Sequence, residues 1–293
     1  MATTSTNGLG RSSYSYSDLQ GFAKQIQDRT SHKPTIGIIC GSGLGSLADK
    51  VEDSIVIPYS DIQHFPVSTV KGHHSQFVIG ILKGKTVICM KGRFHLYEGY
   101  PAWKLAAPVR VMSLLGVQTL VVTNAAGAMN KSYKVGDIML MKDHLYLPGM
   151  AGNNPLVGPN MEKFGERFIS TTRLYDSSLR KTARVVAKEM GYSHLIQEGV
   201  YAMVCGPSYE TPAELKLLSV SSDVIGMSTC PEAIVAKHCG MTVFGLSLVT
   251  NKCVTDYDET EVDGPNHGEV LETGKLREDI IQELVAEIVA KID

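Results

Sequence analysis

The 293-residue sequence carries almost no net charge, one tryptophan, no long apolar run and no paired-cysteine motif, and each shortage removes a class of function. With 28 Lys and Arg against 30 Asp and Glu the formal charge is -2, which gives no electrostatic reason to expect nucleic acid or an anionic membrane as partner. No apolar run approaches the roughly 18 to 20 residues that span a bilayer. The opening MATTSTNGLGRSSY lacks the apolar stretch of a signal peptide, and one Arg is too little for a transit peptide. Residues 1–14 therefore read as a disordered polar tail, and the protein as cytoplasmic.

The six cysteines (Cys40, Cys89, Cys205, Cys230, Cys239 and Cys253) form no C-x-x-C pair and sit mostly in apolar runs, where a reduced thiol behaves as a small hydrophobe. His238 beside Cys239 lacks the second half of a zinc pattern, and the doublet His73-His74 has no carboxylate-rich ligand set nearby. No metal and no cofactor are expected.

What is present is an ordinary soluble composition, 43% hydrophobic and 20% charged, with strands and helices in alternation. Ile36 to Cys40 is a continuous apolar run ending in glycines, as in a strand buried on both faces. Phe77 to Leu82 and Thr86 to Met90 flank Lys83-Gly84-Lys85 as a hairpin. Thr119 to Thr123, Val200 to Cys205, Asp223 to Met227 and Val243 to Thr250 read as further strands.

Helices are expected from a capping box at Ser17 and Gln20, over Pro101 to Leu115 with a kink at Pro108, over Leu179 to Met190, after Thr211 and over Pro231 to His238. A final helix follows Asn266, with Ile280, Ile281, Leu284, Val285 and Ile288 on one face. Pro148 to Pro159 reads as a long loop. The pattern predicts one α/β domain over 15–293, with a central mixed, mostly parallel sheet flanked by helices. In such folds ligands bind at the carboxyl ends of strands, where the unusual polar motifs of this chain fall.

Gly41-Ser42-Gly43-Leu44-Gly45 follows the first strand and suits three readings. It can be a phosphate loop, a dinucleotide fingerprint with Asp61 downstream, or a tight structural turn, and it lacks the G-K-[ST] ending of a triphosphate loop. In Arg93 to Tyr100, an extended backbone would alternate Arg93, His95 and Tyr97 onto one face, grouping a bidentate phosphate donor, an imidazole and a phenol. Tyr209 and Glu210 precede a helix start, where a ring can stack on a purine and a carboxylate can accept its N1–H. Asn251 ends a strand and offers both a donor and an acceptor, which a purine O6 and N7 would use. Glu210 as a surface residue and Asn251 as a plain turn former are equally open on spacing alone.

Taken together, CGSGLG, GRFHLYEGYP, VTNAAGAMN, GDIMLMKDH, NPLVGPN, GPSYET, GMSTCPE and SLVTNK, in this order from Ile36 to His267, resemble the low-molecular-mass, trimeric purine nucleoside phosphorylases. The resemblance implies the nucleoside phosphorylase fold and reversible phosphorolysis of 6-oxopurine nucleosides, such as inosine and guanosine, to free base and (deoxy)ribose 1-phosphate in purine salvage. It implies phosphate binding by Ser42, His73, Arg93, His95, Ser228 and the Ala125 backbone. Tyr97, Met227 and His267 match positions around the ribose, and Phe168 matches an aromatic that reaches the neighbouring subunit's site in a homotrimer. Tyr201, Tyr209, Glu210 and Asn251 match base-binding positions, with Tyr209 standing where phenylalanine is common.

Asn251, Glu210 and His95 are the residues the resemblance places closest to the chemistry. The resemblance implies inorganic phosphate as co-substrate and nucleophile, so no triad would be needed, and none is evident. A methylthioadenosine phosphorylase would share the phosphate site but carry a different polar set at Glu210 and Asn251. A nicotinamide-dependent dehydrogenase would account for the glycine loop alone.

Overall fold

Alternating apolar residues on a pleated backbone point to opposite faces, so a strand that is apolar throughout must be covered on both sides. This rule builds the centre of the computed structural model, which describes residues 6–7, 11–41, 45–69, 75–255 and 267–292. In β3 (Ile36–Cys40), Ile36, Ile38 and Cys40 enter one core cluster while Ile39 enters the other. In β7 (Thr119–Ala128), Leu120 and Val122 join the core of Ile39, and Val121 joins that of Ile36, Ile38 and Cys40.

Ahead of the sheet, β1 (Thr6–Asn7) pairs with β2 (Arg11–Ser12) and leads into α1 (Tyr16–Gln27). Within the segment read as a tail, the Tyr14 ring packs edge-on against Phe22 and Trp103. The helix is capped two residues earlier than expected. Ser15 accepts from the Asp18 N–H at 3.2 Å and donates its own N–H to the Asp18 carboxylate at 2.8 Å, so the box is Ser15–Asp18 instead of Ser17–Gln20.

The remaining strands are β4 (Glu52–Pro58), β5 (Gln76–Leu82), β6 (Lys85–Lys91), β8 (Ile138–Tyr146), β9 (Ile196–Met203), β10 (Val224–Gly226) and β11 (Thr242–Lys252). They form one nine-stranded sheet in the order β10-β9-β8-β11-β7-β3-β6-β5-β4. Five pairs are parallel (β10–β9, β9–β8, β11–β7, β7–β3 and β3–β6), while β8–β11 and the β4–β5–β6 edge are antiparallel. β10 also pairs antiparallel with β7, which ties β7, β11, β8, β9 and β10 into a closed ring. The mixed single-domain α/β fold is therefore as expected; the ring closure is not visible in any single motif.

Pro101 to Leu115 is broken rather than kinked. α2 (Ala102–Leu105) stops and α3 (Ala107–Leu114) restarts with Pro108 in its first turn, where proline needs no N–H partner. α4 (Leu147–Met150) is a single turn within the long loop, and α5 (Ser177–Glu189) is capped by Asp176. α6 (Pro212–Leu218) has the expected Thr211–Glu214 capping box. α7 (Cys230–His238) follows β10, and α8 (His267–Ala290) buries Ile281, Leu284, Val285 and Ile288. Asn266, expected as its cap, lies outside the described residues. The six thiols are free. Among the described residues no helix is long and apolar enough to cross a membrane, and no cluster of three or more His, Cys, Asp or Glu is placed to hold a metal ion.

Candidate active site

The strand ends converge on a cavity of about 410 Å³, and the close approach of β3 to β7 sets one wall. A Cβ on Gly41 would lie 2.6 Å from the Thr123 carbonyl oxygen and 2.7 Å from the Asn124 Cα, so only glycine fits there. The Gly41 N–H donates to the Thr123 hydroxyl at 2.9 Å. The first glycine of the motif is thus needed for strand packing, whatever the loop binds. Ser42 lies outside the described residues, as does His73.

Arg93 follows β6 and is only 1% exposed. Its Nη1 donates to the Ser228 hydroxyl at 3.1 Å and to the Thr229 hydroxyl at 2.8 Å, while Nη2 donates to the Thr123 carbonyl. The Glu232 carboxylate stands 3.8 Å from Nη1. Thr229, between β10 and α7, has φ of 84°, a rare conformation for a β-branched residue and one that clusters at functional sites. Its hydroxyl also accepts from the Asn124 side-chain amide at 2.9 Å.

Past Arg93 the chain turns as a 3₁₀ segment over Leu96–Glu98, so the strand-like alternation of Arg93, His95 and Tyr97 does not hold. The turn brings them together another way: the His95 and Tyr97 rings stack with centroids 4.6 Å apart. Glu98 meets the His95 Nδ1 at 3.1 Å and accepts the His95 N–H at 2.7 Å. Its second oxygen accepts from the Thr69 N–H at 2.6 Å and from the Ser68 and Thr69 hydroxyls. Burial opposes the Glu98 charge, but these donors outweigh it and hold the carboxyl down at about 2. Burial lowers the His95 pKa against the pull of Glu98, with Arg93 adding to the lowering. Burial, with Glu98, pushes the Tyr97 phenol up to about 12 against the pull of Arg93.

At the other end of the cavity, β11 carries a bulge against β7: Val249 pairs with Ala126 and Asn251 with Gly127, leaving Thr250 extra. The Thr250 hydroxyl donates to the Asn251 side-chain oxygen at 3.1 Å, and the amide nitrogen donates to the Lys252 carbonyl at 3.4 Å. A Cβ on Gly127 would meet the Cys253 sulfur at 2.8 Å and this nitrogen at 3.1 Å. Burial raises the Glu210 pKa, and Glu214 adds to it against a backbone hydrogen bond.

Nine sequence-predicted residues line this one cavity. Arg93, His95, Ala125 and Ser228 belong to the expected phosphate set, Tyr97 and Met227 to the ribose set, and Tyr209, Glu210 and Asn251 to the base set. Tyr201 does not line it. It is fully buried behind the wall, where its hydroxyl accepts the Ser228 N–H at 3.3 Å. Phe168 is 87% exposed and outside the lining. His267 opens α8, and its side chain lies outside the described residues.

Sequence reasoning missed Asn124, Thr250 and Cys253 in the lining, and Glu98, Thr229 and Glu232 behind it. The pattern Thr229-x-x-Glu232 was a readable signal, but it would have suggested an ordinary capping box. The structure gives Thr229 no capping bond, because its hydroxyl is engaged by Arg93.

Comparison with known proteins bears on the chain as a whole. The Phosphorylase superfamily profile matches residues 35–290. Purine nucleoside phosphorylase of Bos taurus is 50% identical over 280 residues, 95% of this chain and 96% of the bovine protein. The chain belongs to the purine nucleoside phosphorylases. Among solved members of that family, the Schistosoma mansoni enzyme in complex with inosine superposes with a TM-score of 0.91 at 49% identity, over 96% of this chain and 98% of that one. The same enzyme in complex with adenosine gives a TM-score of 0.92 at 50% identity, over 96% and 99%. The family match thus takes in nearly all of the chain, including every described residue that lines the strand-end cavity.

Proposed function

We propose that this purine nucleoside phosphorylase carries out reversible phosphorolysis of inosine, guanosine and their deoxy counterparts, with phosphate bound at the Arg93 end of the cavity and the purine at the Asn251 end. The observation that carries the reading is a single cavity with a buried guanidinium and hydroxyls at one end, and an amide and a carboxylate at the other. Ser42 and His73 complete the phosphate set and His267 the ribose set.

Phosphorolysis needs no protein nucleophile. A phosphate oxygen bonds to C1′ as the C1′–N9 bond breaks, and the bonding electron pair leaves with the purine. Cleavage of this kind develops oxocarbenium character on the sugar, as in glycoside hydrolysis. The protein's tasks are to hold phosphate beneath C1′ and to meet negative charge on the base. Arg93 and Ser228 orient the phosphate, joined by the Ala125 N–H. His95, its Nδ1 engaged by Glu98, presents Nε2 to accept a proton from monobasic phosphate. The Asn251 amide nitrogen, oriented by Thr250, donates to N7 as charge grows there.

Tyr209 stacks on the ring and Glu210 accepts N1–H. Adenine has no N1–H, so adenosine should turn over more slowly than inosine, even though a relative has been solved with adenosine bound. Occupancy and turnover are separate properties. Phe168, exposed in a single chain, fits insertion into a neighbouring site of a homotrimer. A cytoplasmic role in purine salvage, with no cofactor, nucleic acid or membrane involved, is consistent with the charge balance and composition.

The test is release of free base from inosine, guanosine and adenosine with and without phosphate. Turnover of the first two that disappears without phosphate supports the reading. Equal rates on adenosine and inosine would overturn the roles of Glu210 and Asn251. Full turnover without phosphate would overturn the phosphate site.

A further inference from the structure

A helix N-terminus presents free N–H groups and a positive dipole end, and it would strengthen any anion site beside it. α7 begins two residues after Ser228, so its N-terminus adjoins the proposed phosphate position. That N-terminus is already occupied by the protein itself. Glu232 stands in the first turn of α7, and one oxygen of its carboxylate faces Arg93 at 3.8 Å. The other oxygen is buried with no hydrogen-bond partner among the described residues, and the side chain is 2% exposed. A carboxylate buried this deeply and only half satisfied is costly, so a role beyond packing is needed to explain it.

Its other ionisable neighbours are Tyr146, Tyr175 and the Cys230 thiol, and burial pushes each of these up and keeps it neutral. Burial also favours the neutral form of Glu232 itself, while Arg93 favours the charged form. Thr229 holds the arrangement together. Its left-handed backbone turns the chain into α7, and its hydroxyl, instead of capping the helix, accepts from Arg93 and Asn124.

We propose that Glu232 is a positioning residue that occupies the α7 N-terminus and balances Arg93, so that bound phosphate keeps most of its negative charge. The inference rests on the phosphate reading of the cavity. With Glu232 in place, phosphate meets a near-neutral Arg–Glu pair and a set of hydroxyl and amide donors. It is gripped for orientation and not neutralised, and its charge remains available to stabilise the cationic ribosyl group. Without the carboxylate charge, Arg93 and the helix end would hold ground-state phosphate more tightly and spend that charge before the transition state.

The proposal gives opposite signs to two kinetic constants, which a merely structural role does not. In Glu232→Gln, KM for phosphate should fall about fivefold while kcat falls on the order of tenfold. Glu232→Asp, which keeps the charge, should leave KM for phosphate within about twofold and kcat between the other two. Both are to be measured with inosine saturating, beside thermal melts of the same samples. A KM for phosphate that rises in Glu232→Gln would mean the side chain only props Arg93, and the proposal would be wrong. If Glu232→Gln does not fold, Glu232→Asp decides: tighter phosphate binding in that variant contradicts a charge-balancing role. Wild-type turnover that does not need phosphate would instead remove the phosphate reading, so the two failures are distinguishable.

Discussion

Two buried arginines touch opposite ends of the same helix, and the chain treats them differently. Arg93 meets the N-terminal end of α7 through Thr229 and Glu232, while Arg110, on α3, meets the C-terminal end through His238. The first cation sits where the helix dipole is unfavourable to it, and it is surrounded by a carbonyl, two hydroxyls and a carboxylate. The second sits where the dipole is favourable. Among the described residues, Arg110 meets the His238 Nδ1 at 3.3 Å and the face of Phe164 at 4.8 Å, and no carboxylate lies within salt-bridge distance. A guanidinium held by directional acceptors is aimed at something; one held by a ring face and a helix end is packed. Burial lowers the Arg110 pKa against a nearby Cys239, and nothing there needs a fixed direction.

The contrast breaks most visibly at Arg93. Arg93→Ala should lower kcat/KM for phosphate by about 10³-fold, since it removes the guanidinium from the proposed phosphate site. It also leaves Glu232 unpaired, at a cost of about 3 to 5 kcal/mol in denaturant unfolding. Adding Glu232→Gln to that variant should recover part of the stability and none of the activity.

At the purine end, Asn251→Asp should cost about 10²-fold on inosine, the scale of losing a transition-state donor. Unaltered inosine kinetics would remove Asn251 from the mechanism. Glu98→Gln tests the directional acceptors on the Arg93 side by pH. A carboxyl held at about 2 stabilises the fold above its unfolded value near 4.3, and that contribution is lost as pH falls toward 2. The wild type should therefore lose stability across that acid window more steeply than Glu98→Gln, as followed by acid unfolding. His95 adds in the same direction at higher pH. Its lowered pKa means the unfolded chain takes up the proton first, so stability declines as pH falls below about 6.5.

Arg110→Met should have the smallest effect, with kcat within about twofold and stability within about 1 to 2 kcal/mol, because an unpaired buried cation gives way to an apolar chain of similar length. If this variant is as inactive as Arg93→Ala, the two arginines are not different in kind.

The sheet and one end of the site were readable because their causes are local. Runs such as Ile36 to Cys40 and Thr119 to Thr123 state their own burial, and polar clusters after them mark strand ends. The rest depends on partners far apart in sequence. Tyr201 shares its motif with Tyr209 and Glu210, yet as a residue within β9 it points behind the wall toward Ser228. The pairing of β10 with β7 joins two segments that carry no shared pattern. Ser15 displaced Ser17 as the cap because Asp18 returns the bond to the Ser15 N–H, and spacing alone does not separate two serines two residues apart. The Arg93–Glu232 contact joins positions 139 residues apart, and no helical or strand period could have indicated it.

The bulge in β11 has a consequence for lineage as well as for geometry. A regular strand sends neighbouring side chains to opposite faces, but here Thr250 and Asn251 both line the cavity. One added residue of length, more than the identity of either side chain, lets a hydroxyl and the amide it orients share one surface. Between relatives, a one-residue gap at this point would therefore separate the hydroxyl from the amide it orients, even where the asparagine itself is retained.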